Sequence, residues 1–333
     1  MINNLHIERF MDIVDETLVL KPLTVITGVN SAGKSAVIQA ILAVLKKADA
    51  QGDFLLNQFN YGFKSAVCKY GVYDDYQIQL DTDGGNVALL VKENEERLEP
   101  AVIPVGLEKN VYYLSANRRG YDNTELKAER FSVGVRGEYL FGSLYNEKDV
   151  PITLDLIGGE GSKPLGSLVD FWLKEILGMK FKVNTEEKNA NIIVTYDADE
   201  IKGLMPNQLG TAVSYLAKVL IMCLRAKRGD LLMIENPEVH LHPKAQAKLG
   251  EFLTLMANTG VQLIIETHSE HVINKIQYQI YSNKFNAEML AIYYKEDSHE
   301  KFKTVVIDEH GRYREDFPEG FFDASLGDLM EIG

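Results

Sequence analysis

The chain has 333 residues, of which 46% are hydrophobic and 25% are charged, and its formal net charge is −13 at pH 7. This negative charge argues against the class of proteins that bind nucleic acid over their whole surface, because contacts to phosphates need clustered Lys and Arg. No apolar run approaches the roughly 20 residues that cross a bilayer, and no signal-type apolar core opens the chain. We therefore expect a cytoplasmic protein without a membrane partner. Its two cysteines, Cys68 and Cys223, are expected to be reduced core thiols.

The first 50 residues predict strands followed by a helix. The opening reads as two strands. Residues 5–10 alternate loosely, and residues 18–20 are followed, after Lys21 and Pro22, by residues 23–27, which are apolar on both faces, as expected of a central parallel strand. A helix is predicted to start within residues 33–35 and to end near Lys47, where a pair of lysines suits the negative end of the helix dipole.

A phosphate-binding loop lies between this strand and this helix. The stretch Gly28-Val-Asn-Ser-Ala-Gly-Lys-Ser35 fits the pattern G-x-x-x-x-G-K-[ST], in which backbone N–H groups and the helix N-terminus hold phosphates. Lys34 is predicted to reach the β- and γ-phosphates, and the Ser35 hydroxyl is predicted to ligate Mg²⁺. The predicted nucleotide contacts are Asn30, Ser31, Ala32, Gly33, Lys34 and Ser35.

The middle of the chain is less informative. Short alternating strands are predicted at 76–80 and 87–91, joined by a hairpin, and at 111–114. A helix that contains Trp172 in its core face is predicted to start with a capping pair, Ser167 and Asp170, and to stop at Gly178. A local basic groove for nucleic acid is one interpretation of a cluster of cations, with solvated loop charges as the alternative. The cluster comprises Arg118, Arg119, Lys127, Arg130 and Arg136.

Alternating helices and strands return in the second half, the pattern of a parallel α/β sheet. Helices are predicted at 210–226, 244–258 and 270–280, and strands at 231–234 and 261–265. Two further β-like segments follow, at 290–294 and 303–307.

Two of these strands end in a carboxylate. The strand that ends at Glu235 has the form of a Walker B strand, whose acid holds Mg²⁺ directly or through water opposite Ser35. It continues into Asn236-Pro-Glu-Val-His-Leu-His-Pro243, and the next strand runs into Glu266-Thr-His-Ser269. A zinc site at the histidines or a catalytic Ser269 are weaker alternatives, since Pro243 favours a turn and no nucleophile elbow surrounds Ser269.

These motifs together resemble the ABC-class ATPases of the RecF, SMC and OLD group, and more narrowly a bacterial branch that ends in a small C-terminal domain of unknown function. The matching stretches are 26–35, 234–243, 266–269 and 317–323. The resemblance implies an α/β P-loop NTPase of the ABC-ATPase head type, with a β-rich N-terminal lobe and a helical insertion. It divides the chain into a first half of the ATPase core (1–50), the lobe and insertion (51–200), a second half of the core (201–280) and a C-terminal α/β extension (281–333).

The resemblance also implies roles for individual residues. His268 matches the switch histidine that contacts the γ-phosphate. Gly210-Thr-Ala-Val-Ser214 lies where the signature motif contacts ATP held by a second subunit, so that two ATPs join a homodimer. This segment lacks the usual Ser-Gly-Gly core, and an ordinary helix start is the alternative. A loop near Asn57 and Gln58 is the candidate magnesium-sensing element.

Catalysis departs from the family pattern. Many ABC ATPases have Asp-Glu-Pro where this chain has Glu235-Asn236-Pro237, and an amide cannot accept a proton as a general base does. We therefore expect an ATPase with slow hydrolysis, in which Glu238 is the preferred general base and Glu266 the alternative.

The leading functional hypothesis is an ATP-driven regulatory dimer for a protein effector encoded nearby, and the resemblance favours anti-phage defence as its setting. The alternatives are a DNA-repair-type ATPase that clamps nucleic acid, and a scaffold locked by ATP. OLD-type relatives often carry a nuclease domain, but only about 65 residues follow His268, without an Asp-x-Asp cluster. The expectation is that this chain does not cut nucleic acid, and that without heptad arms it does not bridge chromosomes.

Overall fold

The structure is a computed structural model that describes residues 1–48, 55–57, 75–92, 95–100, 103–120, 122–153 and 161–315. The chain divides into two compact units, one formed by Met1–Gly106 with Ile264–Gly333 and the other by Leu107–Leu263. The four predicted segments (1–50, 51–200, 201–280 and 281–333) remain a prediction.

The strands and helices of the described residues are numbered in chain order. The strands are β1 (Ile2–Phe10), β2 (Ile13–Val19), β3 (Leu23–Gly28), β4 (Asp75–Thr82), β5 (Gly85–Lys92), β6 (Glu95–Glu99), β7 (Val111–Leu114), β8 (Thr124–Leu126), β9 (Pro151–Thr153), β10 (Ser162–Pro164), β11 (Phe181–Lys188), β12 (Asn191–Ala198), β13 (Ile201–Leu204), β14 (Leu231–Glu235), β15 (Gln262–Glu266), β16 (Leu290–Lys295) and β17 (Lys303–Val305). The helices are α1 (Ser35–Ala48), α2 (Leu140–Glu147), α3 (Leu165–Leu177), α4 (Thr211–Arg225), α5 (Pro243–Asn258) and α6 (Glu270–Tyr281).

The first unit contains an antiparallel sheet in the order β2-β1-β4-β5-β6. Alternate side chains of β4 and β5 are buried, the period expected of strands with one face in a core. The buried residues of β1 are Ile2, Leu5, Ile7 and Phe10. Helix α1 packs against this sheet, with Ile38, Ile41 and Leu45 among its buried residues. This packing fixes the start of α1, and so the position of the phosphate-binding loop before it.

A second sheet of the first unit surrounds β3. Strand β16 is parallel to β3 on one side, with Lys295 opposite Gly28, and β15 lies on the other side. Every residue of β3 is buried, as its two-faced apolar sequence predicts for a central strand. The loop that follows β3 therefore starts from a fixed strand end.

The second unit contains a parallel pair, β7 and β14, and an antiparallel sheet formed by β8, β11, β12 and β13. Helix α3 packs against α4 and α5, and the Trp172 ring lies 4.9 Å from that of Phe252 on α5. Trp172 thus packs between helices, as predicted, although it is only half-buried. Cys223 on α4 is a buried free thiol, and Cys68 lies outside the described residues.

The predicted start of α3 is wrong. The helix begins at Leu165, directly after Pro164, so Ser167 lies inside the first turn and does not cap it. Proline is well suited to a helix start because its φ angle is already close to the helical value. The Asp170 carboxylate accepts a hydrogen bond from the Val183 N–H at 2.9 Å. The predicted stop is confirmed, since Gly178 ends the helix with a left-handed φ of 77°.

A buried ion pair joins three elements of the second unit. Lys218 on α4 is 0% exposed and Glu125 on β8 is 2% exposed, and Lys218 Nζ lies 2.7 Å from Glu125 Oε1. Lys218 Nζ also lies 5.5 Å from the centre of the Phe141 ring on α2. Burial raises the pKa of Glu125 to about 7 and lowers that of Lys218, while each charge opposes the effect on its partner.

Replacing Lys218 by Met should lower the free energy of unfolding by about 3–5 kcal/mol, because Glu125 then stays buried without its cation. The loss should be larger at pH 8 than at pH 5. Burial raises the pKa of Glu125 above its unfolded value, so the folded variant regains stability as it takes up a proton at low pH. Urea denaturation followed by circular dichroism measures both effects.

The control is the partly exposed pair of Lys127 and Glu187, where Lys127→Met should change stability little. Adding Glu125→Leu to Lys218→Met should restore most of the lost stability, because no isolated buried charge remains. Equal losses for Lys218→Met and Lys127→Met would contradict a stabilising role of the buried pair.

Candidate functional site

The phosphate-binding loop links β3 to α1 and turns through left-handed backbone. Gly28, Ser31 and Gly33 have φ angles of 134°, 62° and 95°. The Val29 N–H donates to the Lys295 carbonyl oxygen at 2.9 Å, which ties the start of the loop to the end of β16. Such a loop can direct successive N–H groups towards one anion.

Glycine is required at the first loop position. A Cβ atom on Gly28 would lie 2.0 Å from the carbonyl oxygen of Lys295, which is backbone and cannot rotate away. A Cβ on Gly33 would lie 3.1 Å from Cβ of Asp12, in the turn between β1 and β2. The loop is therefore held between β16 and this turn.

The two polar side chains that end the loop contact neighbouring oxygen atoms. Lys34 is 4% exposed, and its Nζ donates to the Val29 carbonyl oxygen at 2.5 Å. Burial lowers the pKa of Lys34, and the charge of Glu266 partly opposes this shift. The Ser35 Oγ donates to Glu266 Oε1 at 3.1 Å.

These residues line a cavity of about 500 Å³ within the first unit. The cavity brings together the loop, the end of β15 and the turn before β2, and burial together with the charge of Lys34 lowers the pKa of His268 beside it. Its lining residues are Met11, Asp12, Asn30, Ser31, Gly33, Lys34, Ser35, Ala36, Gln39, Glu266 and His268.

Four lining residues were not predicted, namely Met11, Asp12, Ala36 and Gln39, and one predicted contact, Ala32, does not line the cavity. Asp12 and Gln39 line it but carry no local sequence signal for phosphate chemistry. Asp12 lies in the cavity lining because Met11, with a left-handed φ of 53°, turns the chain towards the loop. Ala32 was predicted as a contact on loop position alone, and its side chain is buried away from the lining.

The chemistry of the lining fits a nucleotide with a divalent cation. Lys34 and the N–H groups at the start of α1 suit phosphate oxygens. Ser35 and Glu266 offer the hard oxygen ligands that Mg²⁺ prefers. The residues present are therefore those that could hold ATP and Mg²⁺.

The acidic strand end at Glu235 lies in the second unit, at the end of β14. Glu235 Oε1 accepts a hydrogen bond from Tyr113 Oη at 2.8 Å. Glu235 Oε2 accepts from the Ala116 N–H at 3.0 Å and from Ser115 Oγ at 3.4 Å. All three donors follow or belong to β7, which pairs with β14, so the carboxylate has one fixed orientation.

Arg118 organises the turn that follows Glu235. Its guanidinium donates to the carbonyl oxygens of Glu235 at 2.9 Å and Asn236 at 2.6 Å. It also lies 5.3 Å from the centre of the Tyr215 ring. Burial lowers the pKa of Arg118 to about 10, and the charge of Glu238 is the largest opposing effect. This cation holds Asn236 in its left-handed conformation, with φ of 42°.

The interpretation of Arg118 as a nucleic-acid contact is wrong, because the side chain is 1% exposed and bonded to backbone. Three other members of the predicted basic cluster also have local partners. Arg119 lies 3.5 Å from Asp122, Lys127 pairs with Glu187, and Arg136 donates to the Asn117 carbonyl. These local partners favour the alternative interpretation of the cluster as loop charges over that of a nucleic-acid groove.

The predicted signature segment spans the start of α4. Gly210 is exposed at the N-cap position, but Ser214 is 2% exposed and its Oγ accepts a hydrogen bond from Tyr196 Oη at 3.1 Å. Ser214 therefore faces the interior of its own unit, which contradicts a direct contact with a nucleotide. A role for Gly210 stays a prediction, as does magnesium sensing near Asn57, since Gln58 and the tail motif lie outside the described residues.

The two weaker alternatives lose their support. His242 accepts a hydrogen bond from the Lys244 N–H at 3.3 Å as the N-cap of α5, and His240 packs against the Tyr215 ring. Ser269 Oγ accepts from the Val272 N–H at 3.1 Å as the N-cap of α6. These side chains perform local structural roles rather than those of a zinc site or a catalytic serine.

The loop, its cavity and the strands around it define a P-loop nucleotide-binding protein of the α/β class. Residues 96–274, more than half of the chain, match the family described as "AAA domain, putative AbiEii toxin, Type IV TA system", and the chain belongs to this family. Residues 286–332 match a second family, described as "Protein of unknown function (DUF3696)".

Two curated relatives are OLD nucleases. The OLD nuclease of Thermus scotoductus is 24% identical over 322 residues, an alignment that covers 81% of this chain and 59% of that protein. The Old nuclease of Escherichia phage P2 is 35% identical over 72 residues, which are 20% of this chain and 12% of that protein. The chain thus spans less than two thirds of the length of either relative.

Solved structures of SMC heads share the fold. The SMC head bound to the C-winged helix domain of ScpA has a TM-score of 0.55 and 13% identity, with 92% of this chain and 98% of that chain covered. The Smc head with an extended coiled coil from Pyrococcus furiosus has a TM-score of 0.52 and 10% identity, with 99% of each chain covered. The predicted ABC-ATPase head fold and the resemblance to OLD-like ABC-class ATPases are confirmed.

Among the residues that the structure describes, no helix is both long enough and apolar enough to cross a bilayer.

Gly28→Ala should abolish ATP binding by the full chain. The added methyl group clashes with the Lys295 carbonyl at 2.0 Å, and alanine at this φ angle is strained by a further 1–3 kcal/mol or so. Calorimetric titration with ATP measures the effect.

The matched control is Gly85→Ala in the hairpin between β4 and β5. Gly85 also has a left-handed φ, 113°, but no atom lies within 4 Å of a Cβ placed there. This variant should bind ATP as the unchanged chain does. Undiminished ATP binding by Gly28→Ala would contradict the proposed role of the loop.

Proposed function

We propose that the chain binds ATP with Mg²⁺ at the P-loop, hydrolyses it slowly, and uses the bound state to close a homodimer that regulates a protein effector. The observation that carries the proposal is the shared cavity, in which Lys34, Ser35, Glu266 and His268 surround the loop. The absence of the Asn-Lys-x-Asp motif that reads guanine supports ATP over GTP, since the nearest match, 274–277, lacks the Asp.

Each residue has a distinct part in nucleotide binding. The loop N–H groups and Lys34 bind the phosphate oxygens, and the Ser35 hydroxyl offers a ligand to the cation. His268, which the resemblance assigns to the γ-phosphate, lines the same cavity. Bound Mg²⁺ would neutralise phosphate charge. Glu235, the Walker B acid, is kept in one orientation by donors from the end of β7 and the residues after it.

Slow turnover is proposed because Asn236 occupies the position of the usual catalytic Glu. Two carboxylates remain as candidates for the general base. Glu238 follows Asn236 by two residues, and its charge interacts with buried Arg118, which fixes the turn. Glu266 lines the cavity beside Ser35. We keep Glu238 as the preferred base.

Dimer closure and an effector are supported by the family and by the fold. The SMC heads that share this fold are described as bound to domains of ScpA, another protein. Gly210 is exposed at the start of α4, where the resemblance predicts contact with a second subunit. Anti-phage defence, with the effector encoded nearby, is the proposed setting.

A nucleic-acid clamp is the second candidate, favoured by the nuclease relatives. It predicts DNA binding that requires ATP and weakens steeply with salt. An effector that copurifies with the chain from its native operon, with no such DNA binding, would favour the regulatory dimer instead.

Lys34→Ala should weaken ATP binding about 10–100-fold, because a charge-assisted hydrogen bond to phosphate is lost. Lys47→Ala, which removes a half-exposed lysine from the far end of the same helix, is the control and should bind normally. Equilibrium titration with ATP and Mg²⁺ makes the comparison. Tight ATP binding by Lys34→Ala would refute the site.

Glu238→Gln should abolish the residual turnover but leave ATP binding intact, since the amide keeps the shape of the side chain and loses the basic oxygen. Steady-state phosphate release and ATP titration on the same preparation separate the two effects. Unchanged turnover would exclude Glu238 as the base.

Addition of ATP and Mg²⁺ should double the mass of the unchanged chain in light scattering after size exclusion, and the hydrolysis-deficient Glu238→Gln should remain dimeric for longer. Lys34→Ala should need about 10–100-fold more ATP than the unchanged chain to form the dimer. A mass that does not respond to nucleotide in Glu238→Gln would rule out ATP-driven closure.

A further inference from the structure

Glu266 is a carboxylate at the end of a buried strand. All five residues of β15 are buried, and Glu266 itself is 6% exposed. An ionised carboxylate in such a place requires a nearby cation or hydrogen-bond donors, because removal of its charge from water is costly. The surroundings of Glu266 therefore show what it can bind.

The neighbours of Glu266 are the two polar residues that end the P-loop. The Ser35 Oγ donates to Glu266 Oε1 at 3.1 Å, and the negative charge of Glu266 acts on Lys34. All three residues line the cavity described above. The carboxylate thus faces the part of the loop where a P-loop serine ligates the metal of a bound nucleotide.

The distance between the two oxygens fits metal ligation. Octahedral Mg²⁺ binds oxygen at about 2.1 Å, so two adjacent ligands lie about 3 Å apart. Ser35 Oγ and Glu266 Oε1 are 3.1 Å apart without any rearrangement. One cation can therefore reach both atoms.

In the second unit, both carboxylate oxygens of Glu235 accept hydrogen bonds. Tyr113 donates to Oε1, and the Ala116 N–H donates to Oε2. Metal ligation by Glu235 would compete with these donors. The carboxylate that directly contacts the P-loop serine is instead that of Glu266.

We propose that Glu266 is a direct ligand of the nucleotide-bound Mg²⁺, adjacent to Ser35. This inference rests on the proposed ATP site and adds a metal ligand to it. It leaves Glu238 as the general base, because a carboxylate bound to the cation is a poor proton acceptor. The ligand class is a hard divalent cation, Mg²⁺ or Mn²⁺.

The assignment predicts opposite effects of one substitution with and without metal. In the absence of metal, the Glu266 charge repels the phosphates, so Glu266→Gln should bind ATP as tightly as the unchanged chain or more tightly. In the presence of metal, Glu266→Gln should need about 10–100-fold more Mg²⁺ for half-maximal ATP binding. A purely structural role would weaken binding in both conditions.

The experiment titrates the full chain with ATP in EDTA and at a series of Mg²⁺ concentrations. Electron paramagnetic resonance of Mn²⁺ with ATP measures cation binding independently of turnover. Glu266→Asp, which keeps the carboxylate, should restore part of the cation affinity. Glu270→Gln, at a partly exposed position in the first turn of α6, is the control and should behave as the unchanged chain.

Unchanged Mg²⁺ dependence in Glu266→Gln would overturn the assignment, as would equal weakening with and without metal in both Glu266→Gln and Glu266→Asp. If Glu266→Gln does not fold, Glu266→Asp is tested in its place. A ligand role then predicts a partial loss of Mn²⁺ affinity, because the shorter side chain moves the carboxylate away from the cation. Equal weakening of ATP binding by Glu266→Asp with and without metal would reject that role. Absence of ATP binding by the unchanged chain in every condition would instead refute the proposed function.

Discussion

The close packing of Gly28 against the end of β16 is the constraint on which the first unit's site depends. The parallel register places Lys295 opposite Gly28, and the Lys295 carbonyl accepts the Val29 N–H at 2.9 Å. Only glycine leaves room for this contact, and only its left-handed backbone redirects the chain into the loop. From there the loop turns past Asp12 and delivers Lys34 and Ser35 to the cavity at the start of α1.

In the second unit, hydrogen bonds fix the acidic end of strand β14. Buried Arg118 binds the carbonyls of Glu235 and Asn236, while residues at the end of β7 bind the Glu235 carboxylate. A buried cation is costly unless its donors are satisfied, and backbone carbonyls together with the Tyr215 ring satisfy most of them here. The result is an acid and a turn whose geometry is fixed before any ligand arrives.

These two arrangements give physical content to the family assignment. A P-loop cavity lined by a lysine, a serine and a carboxylate (Lys34, Ser35 and Glu266) is suited to a nucleotide and a hard metal ion. Under the proposed function, Asn236 at the usual position of a catalytic acid slows hydrolysis and so prolongs the ATP-bound state. A regulatory dimer of the proposed kind would keep its signal for as long as the nucleotide stays bound.

The sequence by itself determined the P-loop, its flanking strand and helix, and the order of the α/β elements. These are local features, since the loop glycines, the apolar runs and the helix stops lie within a few residues of the elements they define. It also identified Glu235, Glu266 and His268 as candidates. Their expected roles came from motif position and from the family resemblance, not from any contact that the sequence encodes.

Only the tertiary structure decided which carboxylate contacts Ser35, because Glu266 is 231 residues away along the chain and strand order brings them together. It likewise showed that the side chains of Arg118 and Ser214 face inward. The identity of a charged or polar residue does not by itself reveal whether it is buried. Asp12, Tyr113 and Ser115 were missed for the same reason. Their functions arise from neighbours across a sheet or a loop, and no spacing within the chain encodes those contacts.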